Sequence, residues 1–99
     1  MFSHKSQKWK NKRTIILKRD SYLCKECARF GKRTIASTVH HIFPVELFPE
    51  LAFVNINLIS LCESCHNKMH DRITDTITET GKRWQSKISP HLSDHIFNT

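Results

Sequence analysis

Residues 39–70, with the sequence VHHIFPVELFPELAFVNINLISLCESCHNKMH, decide the fold of this 99-residue chain. The stretch carries imidazoles near both of its ends and one CxxC pair, and a second CxxC pair lies upstream of it. Imidazoles and thiolates are common ligands of transition metals in proteins. The candidate ligands, in chain order, are Cys24, Cys27, His40, His41, Cys62, Cys65, His66 and His70.

The two CxxC pairs predict one structural metal site. A tetrahedral zinc site needs two thiolates from each short turn, and the CxxC spacing supplies them. In a reducing compartment such thiols are more often metal ligands than disulfides. Thirty-four residues separate the pairs, more than in a simple zinc ribbon, so a further unit is inserted between them. We predict structural Zn2+ at Cys24, Cys27, Cys62 and Cys65, which would stabilise the thin core of a short chain.

The positive charge of the chain is concentrated toward its N-terminal end. Residues 1–33 hold eleven Lys and Arg side chains and two acidic ones, whereas residues 34–99 hold five and seven. Such a polycation attracts phosphate backbones by counterion release and without reading bases, although a solvated basic helix face explains the charge equally well. We expect no membrane span and no secretory signal, and therefore a cytoplasmic location, because no apolar run or cleavage-site pattern is present.

The hydrophobic pattern predicts an α+β domain with small strands. Residues 6–19 combine apolar and basic side chains at helical spacing, so we expect an amphipathic helix that Asp20 and Ser21 end. Residues 34–42 are rich in β-branched side chains and predict a strand that delivers two histidines at its end. Residues 57–61 predict a second short strand.

After the second strand we expect a helix that begins near Cys65. It would place His66, His70 and Ile73 on one face, four and three residues apart. We find no internal repeat and predict a single domain over residues 1–99. We divide it into a basic N-terminal helix, a zinc-clamped core and a helical C-terminal extension, which cover residues 1–22, 23–73 and 74–99.

The histidines predict a second metal centre. Successive side chains of a strand point to opposite faces, so the adjacent His40 and His41 can take different roles. His40, with His66 and His70 one helical turn apart, could enclose a divalent ion and leave positions open for water and a phosphate oxygen. His41 would then be free to act as a general base, because its unperturbed pKa is about 6.5.

Another arrangement of the same ligands stays open. His66 could join three of the cysteines in a mixed zinc site, which would leave His70 at the surface. The remaining histidines lie in terminal or flexible segments, and we expect surface positions for them. They are His4, His91 and His95.

The stretch from Val39 to His70, with Cys24 and Cys27 upstream, resembles the HNH endonucleases. These have the ββα-metal (His-Me finger) fold, and the similarity is greatest to small phage-encoded members with a four-cysteine zinc clamp. The resemblance implies that His41 is the general base, that Asn57 braces the loop that orients it, and that His66 is a metal ligand.

His40 stands where many members of that family carry aspartate. The HH…HxxxH form is instead similar to the colicin-type branch, in which the residues at the positions of His40 and His70 join His66 on the metal. Imidazole ligands favour Mn2+, Ni2+ or Zn2+ over Mg2+, which prefers oxygen ligands.

The resemblance also implies an activity and partners. The activity is a metal-dependent DNA endonuclease that hydrolyses phosphodiester bonds, by nicking or by double-strand cleavage, and leaves 5′-phosphate and 3′-hydroxyl ends. Small phage members act beside a terminase during DNA packaging, so a phage terminase and the bacterial host cytoplasm follow from the resemblance.

Two other functions account for part of the pattern. A non-catalytic zinc-stabilised module that binds nucleic acid explains the cysteines and the basic end but leaves the four histidines as coincidence. A zinc-dependent hydrolase of another substrate explains the metal ligands but not the basic segment.

Overall fold

Helices and two small antiparallel strand pairs form the fold. The computed structural model describes residues 2–97 of the chain, with side chains through residue 92. The α+β prediction is confirmed. In chain order the elements are α1 (Gln7–Arg19), α2 (Lys25–Arg29), β1 (Thr38–His41), β2 (Leu58–Leu61), α3 (Glu63–Asn67), β3 (His70–Asp71), β4 (Thr76–Ile77) and α4 (Glu79–Phe97).

Helix α1 is capped at both ends; it ends at the predicted residue and begins at Gln7, one residue after the predicted start. The Ser6 side chain accepts a hydrogen bond from the backbone N–H of Trp9, which satisfies one of the free donors of the first turn. At the other end the Asp20 N–H donates to the Ile16 carbonyl. The apolar stripe is buried, and it includes Trp9, Ile16 and Leu17.

Strands β1 and β2 form an antiparallel pair in which His40 lies opposite Ile59 and His41 opposite Leu58. Both strands are shorter than predicted. Residues 34–37 belong to no strand; they contribute an isolated bridge between Leu23 and Ile35 and a hydrogen bond from the Ser37 N–H to the Leu61 carbonyl. Residue 57 lies in a 3-10 turn before β2. Every residue of β2 is buried, because the strand lies between two clusters of buried side chains. One cluster includes the apolar stripe of α1 and covers one face, and the second core covers the other face.

The predicted helix from Cys65 through Ile73 is wrong beyond its first turn. Helix α3 ends at Asn67, and His70 lies in β3, opposite Ile77 of β4. The Asp71 carboxylate accepts hydrogen bonds from the N–H groups of residues 73 and 74, which closes a turn, and Ile73 is 96% exposed at its tip. The β-branched run that follows favours a strand over a continued helix.

Helix α4 closes the second core over the cysteines. It starts at Glu79, later than the expected helix from residue 74, because β4 precedes it. Its buried residues Trp84, Ile88 and Leu92 share a cluster with Cys24 and Cys65. None of the helices in the described part of the chain has the length and hydropathy that a bilayer crossing requires.

Candidate metal centre and catalytic cleft

The four cysteines converge although thirty-four residues separate their pairs. Their sulfur atoms all lie within 4.8 Å of one another. The Cys27 sulfur is 3.9 Å from that of Cys62 and 3.6 Å from that of Cys65. A tetrahedron with Zn–S bonds of about 2.3 Å has sulfur separations of about 3.8 Å. The arrangement therefore fits a tetrahedral ion and is too open for a disulfide.

The thiol pKa values show what a cation would do at this site. Burial raises the pKa of Cys24 and of Cys65, and the neighbouring sulfurs raise that of Cys65 further. The Cys65 backbone N–H, with further hydrogen bonds from the neighbouring thiols, lowers the pKa of Cys62 to about 7. Crowded thiols disfavour several negative charges at once, and a bound cation removes that penalty by converting thiols to thiolates. This ligand set fits a structural metal.

Two short helices position the thiols. Cys24 immediately precedes α2 and accepts a hydrogen bond from the Cys27 N–H through its sulfur, at 3.4 Å. Cys62 likewise precedes α3, which carries Cys65. His66 is not a member of the group of donor atoms within 4.8 Å, so the structure does not favour the mixed site in which it replaces a cysteine.

The two adjacent histidines of β1 lie on opposite faces of the strand, as the alternation of side chains predicts. The rings of His40 and His66 have centroids 5.2 Å apart. The His41 ring lies on the other face and stacks on Trp9. Burial, followed by the charges of neighbouring histidines, lowers the pKa of His40 to about 3. Its imidazole is therefore neutral at physiological pH and available as a metal ligand.

The other two candidate ligands differ in their surroundings. Burial, together with the charge of Arg72, lowers the pKa of His66. The His70 Nε2 lies 3.0 Å from an oxygen of Asp75, across the β3–β4 turn. Among the described residues, the donor atoms of His40, His66 and His70 do not all lie within 4.8 Å of one another. The structure thus brings His40 and His66 together and holds His70 nearby, paired with a carboxylate.

The imidazole of His41 has a defined proton arrangement. Its Nε2 is 3.1 Å from the Ala52 carbonyl oxygen, so the Nε2 N–H is the donor. The neutral ring then carries its lone pair on Nδ1. Nδ1 has no hydrogen-bond partner. Among the described residues, every side-chain nitrogen or oxygen that is sealed from solvent has one, so Nδ1 is reached by solvent. Burial lowers the pKa of His41, which favours this neutral form.

Asn57 is fully buried and ties together the loop that follows β1. Its Oδ1 accepts from the Phe43 N–H at 2.8 Å, and its Nδ2 donates to the carbonyls of Phe43 and Leu51. The loop it ties holds Ala52, the residue that accepts from His41. A side chain with one acceptor and two donors satisfies all three backbone groups at once.

A cleft of about 1150 Å³ contains all four candidate histidines of the second centre. It is lined by parts of α1, β1, the loop after β1 and the β3–β4 hairpin. Its charged lining is mainly basic, with Lys10, Arg13 and Arg72 against Glu46 and Asp75. A cleft lined by both imidazoles and cationic side chains can hold a phosphodiester.

Several features of the cleft have no signal in the sequence pattern. In the sequence, Trp9 is only part of an apolar helix stripe, whereas in the structure it contacts His41. The exposed His4 also lines the cleft. The Ala52 carbonyl carries no side-chain signal at all. Of the two other histidines expected at the surface, His91 is exposed and the side chain of His95 lies outside the described residues.

Comparisons with known proteins agree with this geometry. The HNH endonuclease family matches residues 24–72, which include every candidate ligand and Asn57. The chain is similar to an HNH endonuclease of the deep-sea thermophilic bacteriophage GVE2, whose crystal structure was determined with a manganese ion. The two are 38% identical with a TM-score of 0.63, and the match covers 65% of this chain and 70% of that one. None of the proteins with curated descriptions matches significantly in sequence. The expected ββα-metal fold is confirmed by the structural match.

Proposed function

The chain belongs to the HNH endonuclease family, and from that premise we propose that it is a metal-dependent DNA endonuclease with His41 as its general base. The observation that carries the proposal is the tautomer of His41. The Ala52 carbonyl holds the proton on Nε2, Nδ1 is reached by solvent, and His41 lines the same cleft as His40 and His66.

The reaction proposed for His41 is proton abstraction from water. A water hydrogen-bonded to Nδ1 gives its proton to that nitrogen as its oxygen attacks the phosphorus of a phosphodiester. The bond from phosphorus to the 3′-oxygen breaks, and the departing 3′-oxygen takes a proton from solvent. The ring becomes an imidazolium, and the Ala52 carbonyl stabilises the Nε2 N–H dipole in that state. The ends expected from the family resemblance are 5′-phosphate and 3′-hydroxyl.

A divalent ion at His40 and His66, with His70 as a third candidate ligand, is part of the proposal. When bound, the ion would act as a Lewis acid and offset negative charge on the phosphate oxygens. Neutral His40 suits the role of a metal ligand. His66 and His70, which line the same cleft, also offer ring nitrogens. We propose Mn2+, Ni2+ or Zn2+ before Mg2+ because the ligands are nitrogens, and the phage relative was crystallised with manganese.

Asn57 has a positioning role in the proposal and does not touch DNA, because it is fully buried. By holding Phe43 and Leu51 it fixes the loop whose Ala52 carbonyl orients His41. Structural Zn2+ at the four cysteines would hold α2 against α3, which carries His66.

DNA would lie across the cleft and be held through its backbone. Lys10 on α1 and Arg72 in the β3–β4 turn are exposed and line the cleft, and each offers a cation to a phosphate. Contacts of this kind position a duplex but carry no sequence information, so weak sequence preference is expected.

A role in phage DNA packaging completes the proposal. Its support is the similarity to small phage members of the family, together with the match to a bacteriophage endonuclease. A phage terminase would then be the partner, and the activity would take place in the bacterial host cytoplasm.

The test is conversion of supercoiled plasmid by the wild type, by His66→Ala and by the matched control His91→Ala. Each is assayed in EDTA and with Mn2+, Ni2+, Zn2+ or Mg2+ added singly, and bound metal is counted. We expect metal-dependent cleavage by the wild type and the control. His66→Ala should lose cleavage and one metal site but keep the structural zinc. A wild type that binds plasmid but never cuts it would favour the non-catalytic nucleic-acid-binding module.

A further inference from the structure

Aromatic side chains from the N-terminal part of the chain enclose the ring of His41. The Trp9 indole stacks on it with ring centroids 4.8 Å apart and planes inclined by 22°. The Phe2 ring meets it edge-on, at 5.0 Å and 89°. Trp9 and Phe2, here called the aromatic pair, therefore both contact the imidazole, Trp9 by stacking and Phe2 with its ring perpendicular.

The aromatic pair is itself held in place by local structure. The Ser6 side chain donates to the Ser3 carbonyl at 2.9 Å and accepts from the Trp9 N–H, so the turn before α1 is hydrogen-bonded. The Phe2 ring contacts Trp9 at 5.1 Å and Phe53 at 5.6 Å. Trp9 is only 3% exposed, so its indole has little freedom to leave the stack.

Three contacts consequently fix the imidazole in one orientation. The stack on Trp9 sets the plane of the ring, the perpendicular Phe2 ring limits its tilt, and the Ala52 carbonyl fixes its rotation through Nε2. The nitrogen left open is Nδ1. A base must meet its water within hydrogen-bond distance and in line, and a displacement of about 1 Å can cost about 100-fold in rate.

We propose that Trp9, supported by Phe2, is a positioning residue that holds the His41 imidazole with Nδ1 directed into the cleft. For a tryptophan that only filled the core, apolar volume would be enough and its orientation toward His41 would not matter. The Trp9 indole instead lies nearly parallel to the polar ring of His41. The proposal rests on the proposed function, because positioning matters to the rate only where His41 is the base.

The test compares Trp9→Leu with Trp9→Phe, because phenylalanine keeps a flat face for His41 and leucine keeps only apolar bulk. We measure kcat and KM for plasmid cleavage with Mn2+, together with zinc content and melting temperature. Trp9→Leu should lower kcat about tenfold or more and change KM by less than about threefold. Trp9→Phe should restore kcat to within about threefold of the wild type. Equal kcat in the two variants at equal stability would overturn the proposal.

Phe2→Ala provides a second test, because the half-buried Phe2 lies outside α1 and its removal spares the helix. Its matched control is Phe30→Ala, on the 67% exposed Phe30 next to α2. We expect a lower kcat for Phe2→Ala and the wild-type value for the control. If neither Trp9→Leu nor Phe2→Ala lowers kcat while the wild type cuts, Trp9 is a core residue and the proposal is wrong.

A readout that needs no cleavage separates this proposal from the proposed function. The ring current of a stacked indole shifts the His41 imidazole resonances, which can be assigned by comparison with His41→Ala. We expect the shift in the wild type and its loss in Trp9→Leu. Unchanged resonances would show that the stack is absent, whereas a wild type with the shift but no cleavage would refute the nuclease and leave the stack standing.

Discussion

At the scale of single residues, the site depends on polar side chains that satisfy backbone groups. Asn57 is the clearest example, because one buried amide serves three partners in the loop that carries Ala52. Removal of such an amide leaves buried donors and acceptors without partners. The free-energy cost of these unpaired groups exceeds the average net contribution of the hydrogen bonds themselves.

Asn57→Ala is therefore expected to lower the free energy of unfolding by about 3 kcal/mol and to reduce cleavage through a displaced loop. The measurements are chemical denaturation and plasmid cleavage. The matched control is Asn55→Ala, since the side chain of the exposed Asn55 accepts a hydrogen bond from the Lys12 side chain and holds no loop backbone group. Equal effects of the two substitutions would contradict the positioning role of Asn57.

The residue scale also shows what the sequence could predict about the site. The alternation of side chains along a strand predicted that His40 and His41 face opposite ways, and the structure confirms it. The contact of Trp9 with His41 could not be predicted, because it depends on how α1 packs on β1. The local pattern around Trp9 reports only that its side chain is buried.

At the scale of elements, Asp20 joins the end of α1 to β2. Its carboxylate accepts from the Arg19 side chain and, at 3.1 Å, from the Ser60 N–H. Burial raises the pKa of Asp20, but these hydrogen bonds outweigh burial and lower it below the usual value. The charged form is thus favoured in the folded protein.

Asp20→Asn should lower the free energy of unfolding by about 2 kcal/mol near neutral pH. Because the folded pKa is depressed, the contribution of the carboxylate is complete above its unfolded pKa of about 3.9 and is lost as pH falls through the folded value. The difference between wild type and variant should be constant from about pH 5 to 8 and shrink below about pH 4.

Thermal melting monitored by circular dichroism across this pH range measures the difference. Both proteins share the same thiols, so the effects of acid on the cysteines cancel. Glu50→Gln, at an exposed acid, should show no such pH-dependent difference. A difference for Asp20→Asn that grows toward low pH would have the wrong sign for this account.

The element scale is where prediction from sequence was weakest. The limits of α1 could be read from its cap and its apolar stripe, because both signals are local. The end of α3 could not, because His66 and His70 have helical spacing while residues 73–78 favour a strand. The Asp71 turn decides between them, and it pairs His70 with Asp75 across a hairpin.

At the scale of the whole molecule, the cysteines join elements that are distant in the chain. Cys24 and Cys65 lie in the core cluster that α4 covers, so the ligand site and the core are one unit. Structural zinc contributes about 10–16 kcal/mol of apparent binding free energy, comparable to the entire stability of about 5–15 kcal/mol of a domain.

Cys24→Ser is accordingly expected to abolish both zinc binding and cooperative unfolding, as measured by metal analysis and by thermal melting. Ser64→Ala, an exposed substitution in the same region as the thiols, is the control and should behave as the wild type. A folded Cys24→Ser protein that holds no zinc would show that the metal is dispensable for the fold.

The sequence predicts how much positive charge the N-terminal part of the chain carries, but not how much of it is free to contact phosphates. The sequence places eleven Lys and Arg residues within residues 1–33. Some of them are engaged within the protein: Arg19 donates to the Asn55 and Leu58 carbonyls, and the Lys8 ammonium lies 4.2 Å from the centre of the Phe53 ring. Contacts of this kind depend on tertiary structure, so the sequence alone overstates the charge that is free for phosphates.

The most direct measurement for the whole account is the cleavage rate of His41→Ala beside the wild type and His91→Ala, with Mn2+ and under single-turnover conditions. We predict a loss of about 100-fold to 10,000-fold for His41→Ala, with zinc content and melting temperature retained. His91→Ala should match the wild type, because the exposed His91 lies on α4 and outside the cleft. A His41→Ala protein that still cuts at the wild-type rate would contradict the assignment of His41 as the general base.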